Sequence, residues 1–288
     1  MARFYKGKII LTGEHSVVYG YHAILASLKL GVSCLIEEGC LSEQQKNDSY
    51  LQYILKVFSQ FFQTQDFKIS LKIDSNLPIK SGLGSSAAFA AAVFSELCKF
   101  YKYPLSVDQL YQLVFKAENF VHGLSSGADP STVVYGGLII FKNGRIKQLK
   151  TSVLRNKTFF LINSGVASES TGEMVTKVAK DQSNRKNLAK LGALSKTILN
   201  NLEKDCFNPQ LLNENQLLLE QIGVVGQQAR QLIKRLQQLS ASCKVTGAGG
   251  IKTGSGYILA FHEEPEKFEK NLKNMNLDYF KTQLGDKK

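Results

Sequence analysis

Several residues of this 288-residue chain could carry charge-neutralising or acid–base chemistry. Lys8 falls within the apolar run Lys8-Ile9-Ile10-Leu11, where a charge must meet solvent, a partner or a ligand. Glu14 and His15 follow directly, beside Gly13, at the strand end where loops place chemistry. Glu118 flanks an apolar helical stripe, one residue beyond Ala117 and four beyond Val114, so its carboxylate is partly buried and wants a cation. Asp129 ends a Gly/Ser loop, and Pro130 biases it toward an extended backbone. Three of them have a plainer alternative: a surface or satisfied His15, an i,i+4 pair of Glu118 with His122, a turn or N-capping Asp129.

A further stretch could hold an anion. Leu77-Pro78-Ile79-Lys80-Ser81-Gly82-Leu83-Gly84-Ser85-Ser86-Ala87-Ala88 is a glycine-punctuated turn feeding the Ala-rich run Ala87–Leu97. Gly82 and Gly84 allow positive φ, Ser85 or Ser86 can cap the helix, and the helix start offers unpaired N–H groups with the positive end of a dipole. It is neither a Walker A loop nor a dinucleotide fingerprint. Taken alone, it is also compatible with an ordinary capped helix.

The elements that must position these residues alternate between strand and helix. Strands are expected at 8–11, 23–28, 31–37 and 67–73, and a helix at 50–60. Ser106 caps a second helix whose Leu110, Leu113, Val114, Ala117 and Val121 share one face. Val133–Phe141 reads as strands around a Gly136-Gly137 bend. A polar, basic seam at 147–157 divides the chain into domains 1–150 and 151–288. Beyond it come a strand at 159–162, helices near 173–180, 211–220 and 225–239, an extended run at 256–261, a helix at 265–274 and a strand at 278–282. The fold class is therefore α+β, the second domain being a small α/β sandwich.

Composition narrows the function. A hydrophobic content of 43% against 21% charged suits a chain that buries a sizeable core. No apolar run reaches membrane-spanning length, and residues 1–10 lack the apolar core and cleavage site of a signal peptide. Five cysteines without CxxC pairing read as reduced thiols, which points to the cytoplasm. The net charge of +12 favours anionic partners, but the lysines are scattered and not interleaved with aromatics, so a phosphate-rich small ligand fits as well as nucleic acid.

Three glycine-centred motifs, in order, resemble the GHMP kinase family, most closely its mevalonate kinase branch. They are Gly7 through Gly20, Pro78 through Ala88, and Lys244-Val245-Thr246-Gly247-Ala248-Gly249-Gly250. Glu118 and Asp129 between the second and third, and Asn215-Gln216 to Gly226 before the third, match the family's spacing. The resemblance implies a two-lobed enzyme with a mixed N-terminal lobe and a ferredoxin-like C-terminal sandwich. It implies ATP and Mg²⁺ as cofactors and a small hydroxy acid, mevalonate, as substrate in isoprenoid precursor synthesis. It implies no nucleic-acid or membrane partner and leaves a homodimer open.

By matching positions, Asp129 is the catalytic base and Lys8 its stabilising partner. Lys80, Ser81, Gly82, Leu83, Gly84, Ser85 and Ser86 wrap the ATP phosphates, and Ser86 with Glu118 holds the metal. Glu14, His15, Phe89, Gly247 and Ala248 face the substrate, His15 or a basic neighbour meeting its carboxylate. The chain departs from the family at Lys6, Lys80, Phe89 and Ile251-Lys252-Thr253; a β-branched Ile251 resists positive φ, so the backbone there must differ. Rival functions are a kinase of phosphomevalonate, sugars or homoserine, a non-catalytic ligand sensor of this fold, and a nucleic-acid binder.

Overall fold

A computed structural model describes residues 3–64, 67–78, 81–123 and 125–286. The first lobe comprises β1 (Phe4–Thr12), β2 (Ala23–Glu38), α1 (Glu43–Asn47), α2 (Ser49–Phe62), β3 (Ile69–Ser75), α3 (Ser85–Phe100), α4 (Val107–His122), α5 (Ala128–Tyr135), β4 (Leu138–Lys142) and β5 (Arg145–Leu149). The second comprises β6 (Phe159–Asn163), α6 (Thr171–Lys180), α7 (Asn184–Glu203), α8 (Gln210–Gln221), α9 (Gln227–Gln238), β7 (Ser242–Thr246), β8 (Tyr257–Phe261), α10 (Pro265–Asn274) and β9 (Tyr279–Thr282).

The first sheet is antiparallel and built around β2, which pairs with β1, β3 and β4, while β4 continues to β5. The two strands expected at 23–28 and 31–37 are one continuous strand, with Gly31 lying opposite Lys6 of β1. Helix α3 packs against β1 and β2, and its Ala87, Ala88, Ala90, Ala91 and Ala92 are all buried. Small side chains all round let neighbouring elements approach closely, as a core helix requires. The α4 stripe is buried at Leu110, Leu113, Val114 and Ala117, but Val121 is exposed near the helix end.

The second sheet runs β7-β8-β6-β9, all antiparallel, the ferredoxin-like order. Its two central strands, β6 and β8, are buried on both faces, so they read in sequence as continuous apolar runs. Phe160, Ile162, Ile258 and Ala260 face a core with α6, α9 and α10, while Phe159, Leu161, Leu259 and Phe261 join the core of the first lobe. Side-chain alternation along a strand thus lets one sheet bind its own helices and the other lobe together.

Four local expectations need correction. Val133–Tyr135 ends helix α5 and is not a strand: Val133 and Val134 are buried in the core, and that packing overrides β-branched propensity. Asp129 is helical, because Pro130 sits in the first turn of α5, where no N–H is needed. The seam at 147–157 is no bare linker, since it begins within β5 and Leu154 is fully buried. Helix α7 went unread although Leu188, Leu191, Ser195, Ile198 and Leu202 are buried at helical spacing; the surrounding lysines and asparagines masked the stripe.

Candidate active site

Lys8 extends from β1 with its ammonium 2.8 Å from Asp129 Oδ2; the lysine is 2% exposed and the aspartate side chain 34%. A hidden cation thus holds a carboxylate that solvent and a ligand can reach. Asp129 lies in the first turn of α5, whose dipole favours a negative charge there, and the turn is entered through Gly127 at φ 87°. The Lys8 N–H donates to Leu83 O at 2.8 Å, joining the strand to the glycine turn.

The cap of α3 is neither serine. Gly84 caps it at φ 77° with no side-chain hydrogen bond, and Ser85 and Ser86 are its first helical residues. The opening N–H groups of the helix therefore have no intrahelical acceptor and no capping side chain, which is what phosphate oxygens require. A Cβ at Gly84 would stand 2.8 Å from Lys8 Cγ, so the glycine is needed both for its φ and for the lysine's passage. Gly84→Ala is expected to cost roughly 1–2 kcal/mol of backbone strain and to raise the KM for ATP. Thermal unfolding and ATP titration check both.

Glu118 on α4 is 1% exposed, deeper than the partly buried position expected. The Tyr50 hydroxyl lies 3.0 Å from Glu118 Oε1 and 3.3 Å from the Ser86 carbonyl, spanning α4 and the first turn of α3. Burial, and the carboxylate beside it, push the Tyr50 phenol well above its ordinary range, so it remains a donor. Phe89 packs its ring 5.9 Å from that of Tyr50. Ile79, Lys80 and the His122 side chain lie outside the described residues. Lys6, the other departure before Gly7, is 3.8 Å from Asp286.

Where the lobes meet, Glu14 and Lys244 form an ion pair with both side chains at most 1% exposed. His15 is buried at φ 59°, with Nε2 3.0 Å from Ala248 O. Burial lowers its pKa to about 4, so the ring is neutral near pH 7. Nε2–H then donates to Ala248, and Nδ1 is left as a buried acceptor without a partner among the described residues. Glu14 Oε2 is a second such acceptor. A neutral His15 brings no positive charge of its own to a ligand carboxylate, and its Nδ1 and Glu14 Oε2 are acceptors only.

The same histidine predicts a pH effect. Its folded pKa lies below the unfolded value, so the unfolded chain binds the proton first as pH falls, and stability is lost from about pH 6.5 down to about pH 4. Over that window about 3 kcal/mol is at stake. Denaturant unfolding of the wild type and His15→Leu at several pH values should show a correspondingly flatter profile for the variant.

The third motif begins as strand β7. Thr246 Oγ1 accepts from the Ile10 N–H at 2.9 Å and donates to Ile10 O at 3.1 Å. Asn215 Oδ1 accepts from Thr12 Oγ1 at 2.8 Å, and Gln216 Oε1 accepts from the Val245 N–H at 2.9 Å. Ile251 takes no positive φ; its N–H and that of Lys252 donate to the Glu169 carboxylate. Sequence alone missed Tyr50, Asn215 as a hydrogen-bonding residue, and the partnership of Lys244. Tyr50 looked like any first-turn residue, and the other two gain meaning only once the lobes meet.

A lysine–aspartate pair beside a helix start that no side chain caps, in a two-lobed α+β fold, fits a small-molecule kinase of the GHMP class. The model for the GHMP kinase N-terminal domain matches residues 49–137. The chain is 31% identical to the mevalonate kinase of Archaeoglobus fulgidus, covering 91% of this chain and 95% of that one. It is 27% identical to the mevalonate kinase of Methanocaldococcus jannaschii, covering 93% and 94%. The crystal structure of L. major mevalonate kinase in complex with R-mevalonate superposes with a TM-score of 0.84 at 22% identity, covering 99% of this chain and 95% of that one, a likeness of fold. The chain belongs to the mevalonate kinase family.

Proposed function

We propose that this chain transfers the γ-phosphoryl group of ATP to the C5 hydroxyl of mevalonate, a step toward isoprenoid precursors. The observation that carries this reading is the 2.8 Å contact between Lys8 and Asp129 beside the uncapped start of α3. Phosphoryl transfer needs positioning, charge neutralisation and a prepared acceptor oxygen. The first-turn N–H groups of α3 and the Gly82–Gly84 turn bind the phosphates. Asp129 accepts the proton of the attacking hydroxyl, while Lys8 orients the carboxylate and neutralises charge that develops beside it. The buried acceptors Glu14 Oε2 and His15 Nδ1 receive hydroxyl hydrogen bonds from the acceptor molecule.

Ser86 and Glu118 would hold Mg²⁺. Their donors are oxygens, few in number, which suits a hard cation that keeps waters and phosphate oxygens in its shell. Among the described residues no cluster of three or more His, Cys, Asp or Glu forms a protein-only cage. When bound, the ion neutralises the β- and γ-phosphates. The lobes are assigned to residues 1–150 and 151–288, and five free thiols accord with a cytosolic address.

The test is ADP release measured against mevalonate, phosphomevalonate, galactose and homoserine. Release dependent on mevalonate supports the reading; a different acceptor reassigns the substrate. Nucleotide binding with silence across the panel would indicate a sensor.

A further inference from the structure

Two buried lysines serve this cleft, and the chemistry above uses one. Lys244 on β7 is fully buried, and its ammonium donates to the Glu14 carboxylate and, at 3.1 Å, to Ile10 O. Thr246, two residues on and on the same side of β7, satisfies the N–H of Ile10 and shares its carbonyl. The order of the first sheet leaves β1 at an edge. Both polar groups of Ile10 are thus satisfied by side chains from the second lobe. Ile10 lies between Lys8, which holds Asp129, and Glu14, whose Oε2 is buried without a partner among the described residues.

We propose that Lys244 is a positioning residue for phosphoryl transfer: it crosses from the second lobe to fix the Glu14 carboxylate and the strand carrying Lys8, so that acceptor binding depends on correct seating of the lobes. Its ammonium gives one Glu14 oxygen a fixed partner and leaves the other without one among the described residues, available to an acceptor hydroxyl. A carboxylate buried to 1% without that cation would be driven to move or to take up a proton, losing its geometry as an acceptor.

This inference rests on the kinase reading, and the test separates the two. Steady-state kinetics are compared for the wild type, Lys244→Met and the double variant Glu14→Gln/Lys244→Met, using whichever acceptor the wild type phosphorylates. A wrong acceptor shows in the wild type alone; a wrong role for Lys244 shows only in the variants. Lys244→Met is expected to lower kcat/KM for the acceptor by about 100-fold with the KM for ATP changed less than about threefold, and to lower the melting temperature. The double variant removes both buried charges and should regain thermal stability while kcat/KM stays at least about 30-fold down. Where Lys244→Met fails to fold, the double variant carries the test. Recovery of activity along with stability would make the pair merely structural and overturn the proposal, as would wild-type kinetics in Lys244→Met.

Discussion

Replacing Asp129 with asparagine is expected to lower kcat by about 100- to 10,000-fold while ATP binds with unchanged affinity. The amide is nearly isosteric, so it can remain beside Lys8, but it cannot take a proton from an attacking hydroxyl. The phosphate-binding groups lie on other elements, the turn before α3 and the first turn of that helix. Nucleotide titration and single-turnover kinetics separate the two effects. The substitution removes the counter-charge of a lysine that is only 2% exposed, so it should also lower the melting temperature, and by more than Lys8→Met does. Turnover within a few-fold of the wild type would remove Asp129 from its role as base.

Lys8→Met is expected to lower kcat by about 100- to 1,000-fold, the loss typical of removing one preorganised charge-stabilising donor. Two roles vanish together: the orientation of Asp129 and a positive charge beside the transferring group. The stability effect should be far smaller than for a fully buried pair, since the stranded aspartate side chain is 34% exposed and water can serve it. Arginine is not a conservative replacement here. The lysine stem passes Gly84 so closely that a Cβ there would lie 2.8 Å from Lys8 Cγ, and a planar guanidinium needs more room. Lys8→Arg should therefore resemble Lys8→Met in kcat. Retention of near-normal kcat by Lys8→Met would leave the ion pair with a structural role alone.

Much of this arrangement is legible before any coordinates, and the reason is local. Glycine turns, capping residues and apolar runs act over a few residues: the capping box of Ser106 with Gln109 and the fully buried runs Phe159–Ile162 and Tyr257–Phe261 all carry their signal within one window. The ordering of Lys8, the Gly82–Ser86 turn, Glu118 and Asp129 resembles a family, and the fold then brings Lys8 and Asp129 within 2.8 Å and spans Ser86 and Glu118 with one tyrosine.

What stayed hidden depends on distant partners. Val133 and Val134 favour strand by type but are helical because the core they enter is formed by other elements. Lys244 and Glu14 are 230 residues apart, and nothing in either neighbourhood announces that one neutralises the other. The charge state of His15 follows from its burial where the lobes meet, which outweighs the opposing hydrogen bond to the Ala248 carbonyl, so sequence alone could take it for a cation.

We propose that the Lys8–Asp129 pair prepares a primary hydroxyl of mevalonate for attack on the terminal phosphate of ATP. The most direct measurement is the identity of the product, taken by ³¹P and ¹³C NMR after incubating the wild-type chain with mevalonate, ATP and Mg²⁺. One new phosphomonoester is expected, on the C5 oxygen, formed in proportion to ADP. ADP released without a phosphorylated acceptor, or phosphate carried on the tertiary hydroxyl, would contradict it.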